Sequence, residues 1–595
     1  MVIFSLVHEP SEAELSIQTT STCGRNPPFN SCSGDIFQII RLQADPHAYV
    51  LKPRIRSTSY AWGDPSKPRQ VRCNNRALSV TRSLYSALRH IRDPIKSRTI
   101  WADAICINQH VDTEKNHQVA LMGKIYSQAE RTLAWIGEDE DHVVHDAFDF
   151  LERLDKWLCN CLEGYSTKRL GVESIDVPQQ IIRELHTDWV PSLYRCLGPL
   201  FICPWFKRLW IVQEVVLAKA VDIVFGTRVL SLEKILPPVL IIGAFVTLRD
   251  TPDSFDVNAL NNLFRIATIR EIRSLVNSDC SLTAMLTALR HGATFDISDP
   301  RDRIYALLGL GYTPGFVADY TLSINDVFQN FAIWCLGAGS NGLEVLSYAG
   351  LSHVQSSLAS WVPTFNSDYS NLHSCRLAAV NHFHASKSST SDSNSPTPEN
   401  SWRISGESVL DLRTAYIDDI GTIARLPLEL HMDETLPALK EIFEAAKCSK
   451  STLANERYRK LCQAMTADMD QLGFEASPKQ VEWSHQLFQV MLDKSVTEED
   501  FQSADITLDD VCRVHSSFLD GKSFCLTSHD RFAWIPELSE VDDKICVLQG
   551  GRVPLVVRPR TDGKYTLIGE SWVQGMMNGE ALDLPNFEWR YISVT

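Results

Sequence analysis

The stretch Tyr60-Ala61-Trp62-Gly63-Asp64 decides the fold expected of the first half of this chain, together with Ile100-Trp101-Ala102-Asp103-Ala104-Ile105-Cys106-Ile107-Asn108-Gln109 further along. In each stretch a strand-like run ends in a compact polar cluster. Ligands of a wound α/β sheet bind beyond the carboxyl ends of the strands, where the loops into the following helices converge. Both clusters would lie at that edge, so the sequence predicts a site-bearing domain here.

Short apolar strands alternate with amphipathic helices through this region, which predicts a mainly parallel α/β sheet with flanking helices. The expected strands lie at 35–42, in a run that ends at Trp62, at 99–106 and at 131–137, with a hairpin at 71–80. Thr81 is a suitable cap for the helix after the hairpin, and Asp112 or Thr113 for the helix after the third strand. The fold class expected of the first half is therefore α/β.

The composition excludes several classes of protein. At 595 residues the chain is too long for one hydrophobic core, so we expect two to four domains. A net charge of −16 argues against a general nucleic-acid-binding surface. The apolar run at 237–246 is too short to span a bilayer, and the N-terminus lacks the basic start of a signal peptide. The sixteen cysteines are expected as free thiols in a reducing compartment, which indicates the cytoplasm.

The remainder of the chain divides by composition. We expect residues 1–33 as an irregular lead-in, 34–228 as the α/β domain, 229–385 as a mostly helical region, 386–401 as a flexible linker, and 402–595 as a C-terminal α+β module with short strands at 523–575. The linker holds seven serines and two prolines without apolar periodicity. Gly550-Gly551 and Asp562-Gly563 are typical hairpin turns, which predicts a β-rich end to the chain.

Glu114 is the candidate catalytic carboxylate. It lies in the first turn of the helix that begins near Asp112, where the helix dipole favours a negative charge. It also follows the strand expected to end at Cys106. A carboxylate there could orient a sugar hydroxyl or stabilise positive charge on a departing ring. The alternative interpretation is an acid that makes ordinary capping contacts.

Asp103 and the turn after Tyr60 are candidate ligand-binding elements. Asp103 needs hydrogen-bond donors, which Asn108 or backbone amides could supply. The alternative interpretation is a structural aspartate that only fixes the conformation of its loop. The stretch Trp62-Gly63-Asp64-Pro65 combines an aromatic platform, a glycine that permits close approach and an acid, and would bind a base or ring. The alternative is a simple glycine turn. Cys106 is interpreted as a buried structural thiol rather than a nucleophile.

Other polar groups do not form a recognisable catalytic or metal site. The acids at 138–141 point in different directions and are expected in a solvated loop, and the pairs at 159–161 and 382–384 lack zinc spacing, so no metal is expected. Glu214 lies among apolar neighbours on a helix and needs a partner, for which Arg208 or a loop amide would serve.

These motifs resemble the HET (heterokaryon incompatibility) domain, a family best known from filamentous fungi. The matching residues, in the family's order and spacing, are Tyr60, Trp62, Gly63, Asp64, Asp103, Cys106, Asn108 and Gln109, then Glu114, Gln118, Tyr126, Trp135 and Gly137, and finally Trp210, Gln213 and Glu214. Continuous similarity covers residues 57–216, and the stretches 302–309 and 543–580 resemble tails that such proteins often carry. The family usually has Glu-Arg where this chain has Glu114-Lys115, and a lysine cannot make a bidentate guanidinium contact.

The resemblance implies a cytoplasmic role in fungal self/non-self recognition and programmed cell death, exerted through partner proteins, with self-association as an option. The HET domain has been likened to TIR domains, which share a compact parallel, Rossmann-like plan. Some TIR domains cleave the nicotinamide–ribose bond of NAD with a glutamate. Two hypotheses follow: an interaction module, or an NAD-cleaving enzyme. In the second, Glu114 is catalytic and Trp62, Asp64, Asp103 and Asn108 line the pocket. A member of the family without activity is a third reading. No cofactor is expected apart from NAD as a substrate.

Overall fold

The chain forms two compact units, Met1–Ser323 and Ile324–Thr595. The computed structural model describes residues 55–92, 98–161, 183–350, 358–365, 383–387, 401–424 and 521–595, with gaps of one to nine residues inside these ranges. It also describes three strands near the N-terminus and isolated positions at 377 and between 460 and 469.

The first unit is built on a sheet that has seven strands in the described part of the chain. The strands of this unit are β1 (Val2–Leu6), β2 (Ser16–Ile17), β3 (Phe37–Arg41), β4 (Ile55–Tyr60), β5 (Arg69–Cys73), β6 (Arg76–Val80), β7 (Arg98–Trp101), β8 (Arg131–Gly137), β9 (Val221–Phe225) and β10 (Arg228–Ser231). The order across the main sheet is β10-β9-β8-β4-β7-β1-β3. The four central strands, β9, β8, β4 and β7, run parallel. The outer strands β10, β1 and β3 are antiparallel to their neighbours, so the sheet is mixed.

The N-terminal stretch differs from the expected irregular lead-in. Val2–Leu6 forms a strand that pairs with β3 and β7, and Ser16–Ile17 pairs with β5. The strand predicted at 35–42 is observed as Phe37–Arg41, the third in the chain. The prediction for residues 2–6 and 16–17 was wrong because strand formation depends on the partner that a segment finds, which local composition does not reveal. The hairpin predicted at 71–80 is confirmed as β5 and β6.

Helices connect and cover these strands. They are α1 (Arg82–Ile91), α2 (Asp103–Cys106), α3 (Asp112–Gln128) and α4 (Val144–Cys161), followed by Val190–Phe201, Ile211–Val216, Leu236–Phe245, Val257–Leu275, Ser281–Gly292 and Asp302–Tyr305, with 3-10 turns at Pro204–Lys207, Leu232–Lys234 and Leu308–Leu310. As predicted, Thr81 caps α1, and its hydroxyl accepts a bond of 3.3 Å from the Leu84 amide.

The strand predicted at 99–106 is shorter than expected. It ends at Trp101, and the chain turns at once into α2. The Asp103 carboxylate accepts a bond of 2.7 Å from the amide of Ala104, and the Cys106 amide bonds to the carbonyl of Ala102 at 2.8 Å. A short polar side chain that captures the following amide favours a turn over a strand, which is why the extended run stops.

The second unit ends in the expected β-rich module. Its strands are β11 (Trp402–Gly406), β12 (Val409–Ala424), β13 (Lys522–Thr527), β14 (Phe532–Pro536), β15 (Lys544–Leu548), β16 (Leu555–Pro559), β17 (Tyr565–Glu570), β18 (Trp572–Val573) and β19 (Arg590–Val594). The described part of this unit also has an α-helix at Ile324–Leu336 and 3-10 segments at Gly342–Tyr348 and Glu580–Asp583. The long strand β12 pairs with both β15 and β19, and β16 and β17 complete the circuit, so these five strands close on themselves.

The hairpins predicted at Gly550-Gly551 and Asp562-Gly563 are confirmed, and Gly550 and Gly563 adopt φ of +82° and +79°. Residues 388–400 of the predicted linker lie outside the described residues, as do the helices expected at 430–520 apart from isolated positions. The predicted helical region at 229–385 is divided between the two units. Among the described residues, no helix is both long and apolar enough to cross a membrane.

Candidate functional site

The carboxylate of Asp103 joins the two motifs at the carboxyl ends of β4 and β7. The Tyr60 hydroxyl donates to Oδ1 at 2.6 Å, and the Trp62 indole donates to Oδ2 at 2.8 Å. The Ala104 amide is the third donor. One backbone amide therefore serves as predicted, while the other two donors are aromatic side chains from the neighbouring strand end. The parallel strands bring the motifs together as expected.

This Tyr60–Trp62–Asp103 cluster lies between the core and solvent. Tyr60 is fully buried, and its burial, followed by the charge of Asp103, raises the pKa of its hydroxyl well above the ordinary value. The hydroxyl therefore stays protonated and remains a donor. The Trp62 side of the cluster is open, since that residue is 37% exposed. The arrangement holds an aromatic ring at the surface with its polar edge fixed by a carboxylate.

The turn after Trp62 is fixed locally. Gly63 adopts φ of +71°, a left-handed conformation that favours glycine. The Asp64 carboxylate accepts bonds of 2.8 Å from both the amide and the hydroxyl of Ser66, and these bonds lower its pKa. Asp64 is exposed, so its charge lies at the surface beside the cluster. These local bonds are those of a simple turn. They leave the ring of Trp62 accessible to solvent.

Glu114 bonds to the loop before α3. The N-cap of this helix is Val111, without a side-chain cap bond, so the prediction of Asp112 or Thr113 as the cap was wrong. Oε1 of Glu114 accepts a bond of 3.1 Å from the Asn108 amide, and the Asn108 side chain accepts one of 3.2 Å from the amide of His110. Glu114 thereby ties the start of α3 to the loop that follows α2, in which Gln109 is half-buried. Cys106 is buried at the end of α2, which agrees with its interpretation as a structural thiol.

A second carboxylate lies beneath the cluster. Glu214 is 2% exposed and accepts a hydrogen bond from the Ser59 hydroxyl, which in turn accepts one of 2.7 Å from the Trp205 indole. Burial raises the pKa of Glu214 to about 7, although the charge of Arg208 and the Ser59 bond act against this. Arg208 also donates to the carbonyl of Tyr60. The predicted partner Arg208 is thus close, while the direct hydrogen bond comes from a strand residue that the sequence did not single out.

Other family-motif residues hold α3 against the sheet and against the helix Ile211–Val216. The Tyr126 hydroxyl donates to the Thr58 carbonyl at 3.0 Å, and Gln213 donates to the Met122 sulfur at 3.7 Å. Gln118 is buried on the same face of α3.

At the end of β8, Trp135 stacks on His90 with ring centroids 4.6 Å apart. A side chain at Gly137 would come within 3.2 Å of the Phe225 ring. Within the described residues, no group of three or more histidines, cysteines and acids could hold a metal ion.

The sequence did not predict the cluster around Asp302. The Trp210 indole donates to Asp302 Oδ2 at 3.1 Å, and the Tyr320 hydroxyl donates to Asp302 Oδ1 at 2.5 Å. The ammonium of Lys115 lies 3.5 Å from the centroid of the Tyr320 ring. The available signal was the motif at 302–309, whose buried acid requires donors; nothing in the sequence identified Trp210 as one of them.

Comparisons with known proteins agree with this architecture. Residues 56–214 match the family model described as Heterokaryon incompatibility protein (HET), and residues 495–588 match the model described as Het-6 beta-barrel domain. The chain is 24% identical, over 654 aligned positions, to Heterokaryon incompatibility protein 6, OR allele, of Neurospora crassa; the alignment covers 91% of this chain and 92% of that relative. No solved structure matches.

Residues 56–214 are therefore similar to HET domains, as the motifs predicted, and the segment similar to the Het-6 barrel domain overlaps the closed circuit of strands. The chain's similarity extends over nearly the whole length of that Neurospora crassa protein.

Proposed function

We propose that this chain acts in the cytoplasm of a fungus in heterokaryon incompatibility, and that its HET domain triggers cell death by binding partner proteins. Two observations carry the proposal: this chain matches the HET model and then the Het-6 barrel model, and its alignment spans 91% of this chain and 92% of an incompatibility protein.

The surface that meets the partner is the Tyr60–Trp62–Asp103 cluster. Trp62 offers a partly exposed ring whose indole nitrogen is held by Asp103, so little side-chain freedom is lost on binding. Tryptophans held in this way are frequent hot spots of protein interfaces. The carboxylates of Asp103 and Glu114 accept bonds from the chain's own donors, which suits a rigid recognition surface.

The test is expression of the full chain in a filamentous fungus, with growth rate as the measurement. Wild type should slow or stop growth. Trp62→Ala should abolish the effect, whereas Trp62→Phe, which keeps the ring, should retain part of it. Tyr416→Ala is the matched control, because Tyr416 is an exposed aromatic residue of the second unit. Normal growth with abundant wild-type protein would refute the proposal.

A second candidate function is cleavage of NAD. It is favoured by the position of Trp62 and Asp103 at the carboxyl ends of adjacent parallel strands, the edge at which nucleotides bind in wound α/β sheets, as in the TIR-like plan. NAD is then a substrate and Glu114 the catalytic carboxylate. Incubation of the purified full chain with NAD, followed by measurement of free nicotinamide, tests this function directly.

A further inference from the structure

Residues beyond the matched HET segment pack on the first turn of α3. The side chain of Asn116 bonds in both directions: its amide nitrogen donates to Asp319 at 3.1 Å, and its oxygen accepts from the Tyr320 amide at 2.9 Å. Asn116 lies two residues after Glu114, on the same turn. These two bonds tie a segment at 319–320 to the turn that carries the candidate catalytic carboxylate.

The ring of Tyr320 makes a second link to the same turn. The Lys115 ammonium lies 3.5 Å from the ring centroid, a cation–π geometry, and the Arg301 guanidinium carbon lies 5.2 Å from it. The Tyr320 hydroxyl donates to Asp302, which also accepts from Trp210. Tyr320 thus connects α3 to the family motif around Trp210 through a buried carboxylate.

The middle of α3 also packs closely against Gly309. A side-chain carbon at Gly123 of α3 would lie 2.6 Å from the carbonyl oxygen of Gly309, and one at Gly309 would lie 2.2 Å from the side-chain oxygen of Gln213. These separations are shorter than any ordinary contact between such atoms. The close approach fixes the middle of α3, and the contacts of Tyr320 and Asn116 fix its first turn.

The Glu114 contact depends on that turn. Glu114 holds the amide of Asn108, so any rotation of the first turn of α3 changes the loop between α2 and α3. Lys115 is also attracted by the charges of Asp299 and Asp302. The geometry therefore couples residues 299–320 to residues 108–114 through contacts on one helical turn.

We propose that Tyr320 and Asp302, which lie outside the matched residues 56–214, are positioning residues of the HET site: they hold the first turn of α3, and with it the contact between Glu114 and Asn108. The functional HET module then extends through residue 320. The consequence for growth rests on the proposed function, whereas the positioning itself does not.

The experiment is hydrogen exchange of the full chain, read in peptides that cover residues 107–117 and, for comparison, α1. Tyr320→Leu removes both the ring over Lys115 and the hydroxyl bond. It should speed exchange in 107–117 by about tenfold or more, the scale of losing one to two buried polar contacts, and leave α1 unchanged. Tyr320→Phe keeps the ring but loses the bond to Asp302, so it should restore only part of the protection.

Controls and outcomes separate the two proposals. Asn262→Ala is the matched control, since it removes an asparagine that bonds to the Phe206 carbonyl without touching α3. Should Tyr320→Leu fail to fold, Asn116→Ala tests the same link from the helix side. Unchanged exchange in 107–117 in either folded variant overturns the positioning role, as does equal acceleration in α1. Growth unaffected by wild type, with exchange altered as expected, refutes only the proposed function.

Discussion

The indole nitrogen of Trp62 donates a bond of 2.8 Å to the carboxylate of Asp103, and this bond joins the ends of the adjacent parallel strands β4 and β7. The two residues come from motifs that are 41 positions apart in the chain. Because of this contact the two loops form one surface, on which the ring of Trp62 is partly exposed.

Removal of the Asp103 carboxylate should destabilise the first unit. Asp103→Ala leaves the buried Tyr60 hydroxyl without its acceptor, which costs about 1–3 kcal/mol. Asp103→Asn retains one acceptor oxygen and should lose less. Urea unfolding followed by tryptophan fluorescence measures both variants. Equal stability of Asp103→Ala and wild type would mean that water replaces the carboxylate at no cost.

Gly63 should tolerate asparagine but not valine. The residue adopts φ of +71°, which asparagine adopts more readily than other residues and which a β-branched side chain resists. Gly63→Val should cost about 1–2 kcal/mol and abolish the growth effect, whereas Gly63→Asn should keep it. Gly315→Val is the control for strain alone, because Gly315 has φ of +84° and no atom within 4 Å of an added carbon. A full growth effect of the Gly63→Val variant would show that the turn is dispensable.

Glu214 should make the stability of the first unit depend on pH. Its folded pKa is raised to about 7 from 4.5, so the folded chain binds more protons between these values than the unfolded chain. The contribution of Glu214 is therefore fully present below pH 4.5 and is lost as the pH rises through about 7. The loss is on the order of 3 kcal/mol.

The variant Glu214→Gln supplies the control for that dependence. It keeps a hydrogen-bonding side chain but cannot ionise, so its free energy of unfolding should vary less between pH 5 and 8 than that of wild type. Denaturation at a series of pH values measures the difference. Identical pH profiles would show that Glu214 does not ionise in this range.

Glu114→Gln separates the two candidate functions. The glutamine oxygen can still accept the Asn108 amide, and the helix-dipole contribution is only about 0.3–1 kcal/mol, so folding should be nearly unchanged. If the carboxylate is catalytic, release of nicotinamide from NAD should fall by roughly a hundredfold or more. Equal, negligible release by wild type and variant, with the growth effect intact, would leave the interaction module as the function.

Lys115→Arg should be close to neutral. The family usually carries arginine here, and the Lys115 ammonium lies over the Tyr320 ring, a position that a guanidinium also occupies well. Lys115→Ala should lose about 0.5–1 kcal/mol. Thermal unfolding compares the three proteins. A large loss in Lys115→Arg would indicate that the site accepts only a compact ammonium.

The sequence alone determined the features that depend on near neighbours along the chain. The Thr81 cap, the hairpins at Gly550-Gly551 and Asp562-Gly563, and the parallel direction of β4, β7 and β8 all follow from turn chemistry and from the alternation of strands and helices. Parallel strands present their carboxyl ends at one edge, so the meeting of Trp62 with Asp103 followed from the motifs themselves.

Only the tertiary structure decided which distant groups satisfy the buried ones. The Trp210 indole reaches Asp302 across 92 positions, Ser59 reaches Glu214 across 155, and residues 2–6 become a strand only beside β3 and β7. A carboxylate among apolar residues indicates in the sequence that it needs a partner, whereas residues 2–6 give no local sign that they form a strand. The choice of partner depends on which elements pack together, and that is set by the burial of apolar surface over the whole unit rather than by any local pattern.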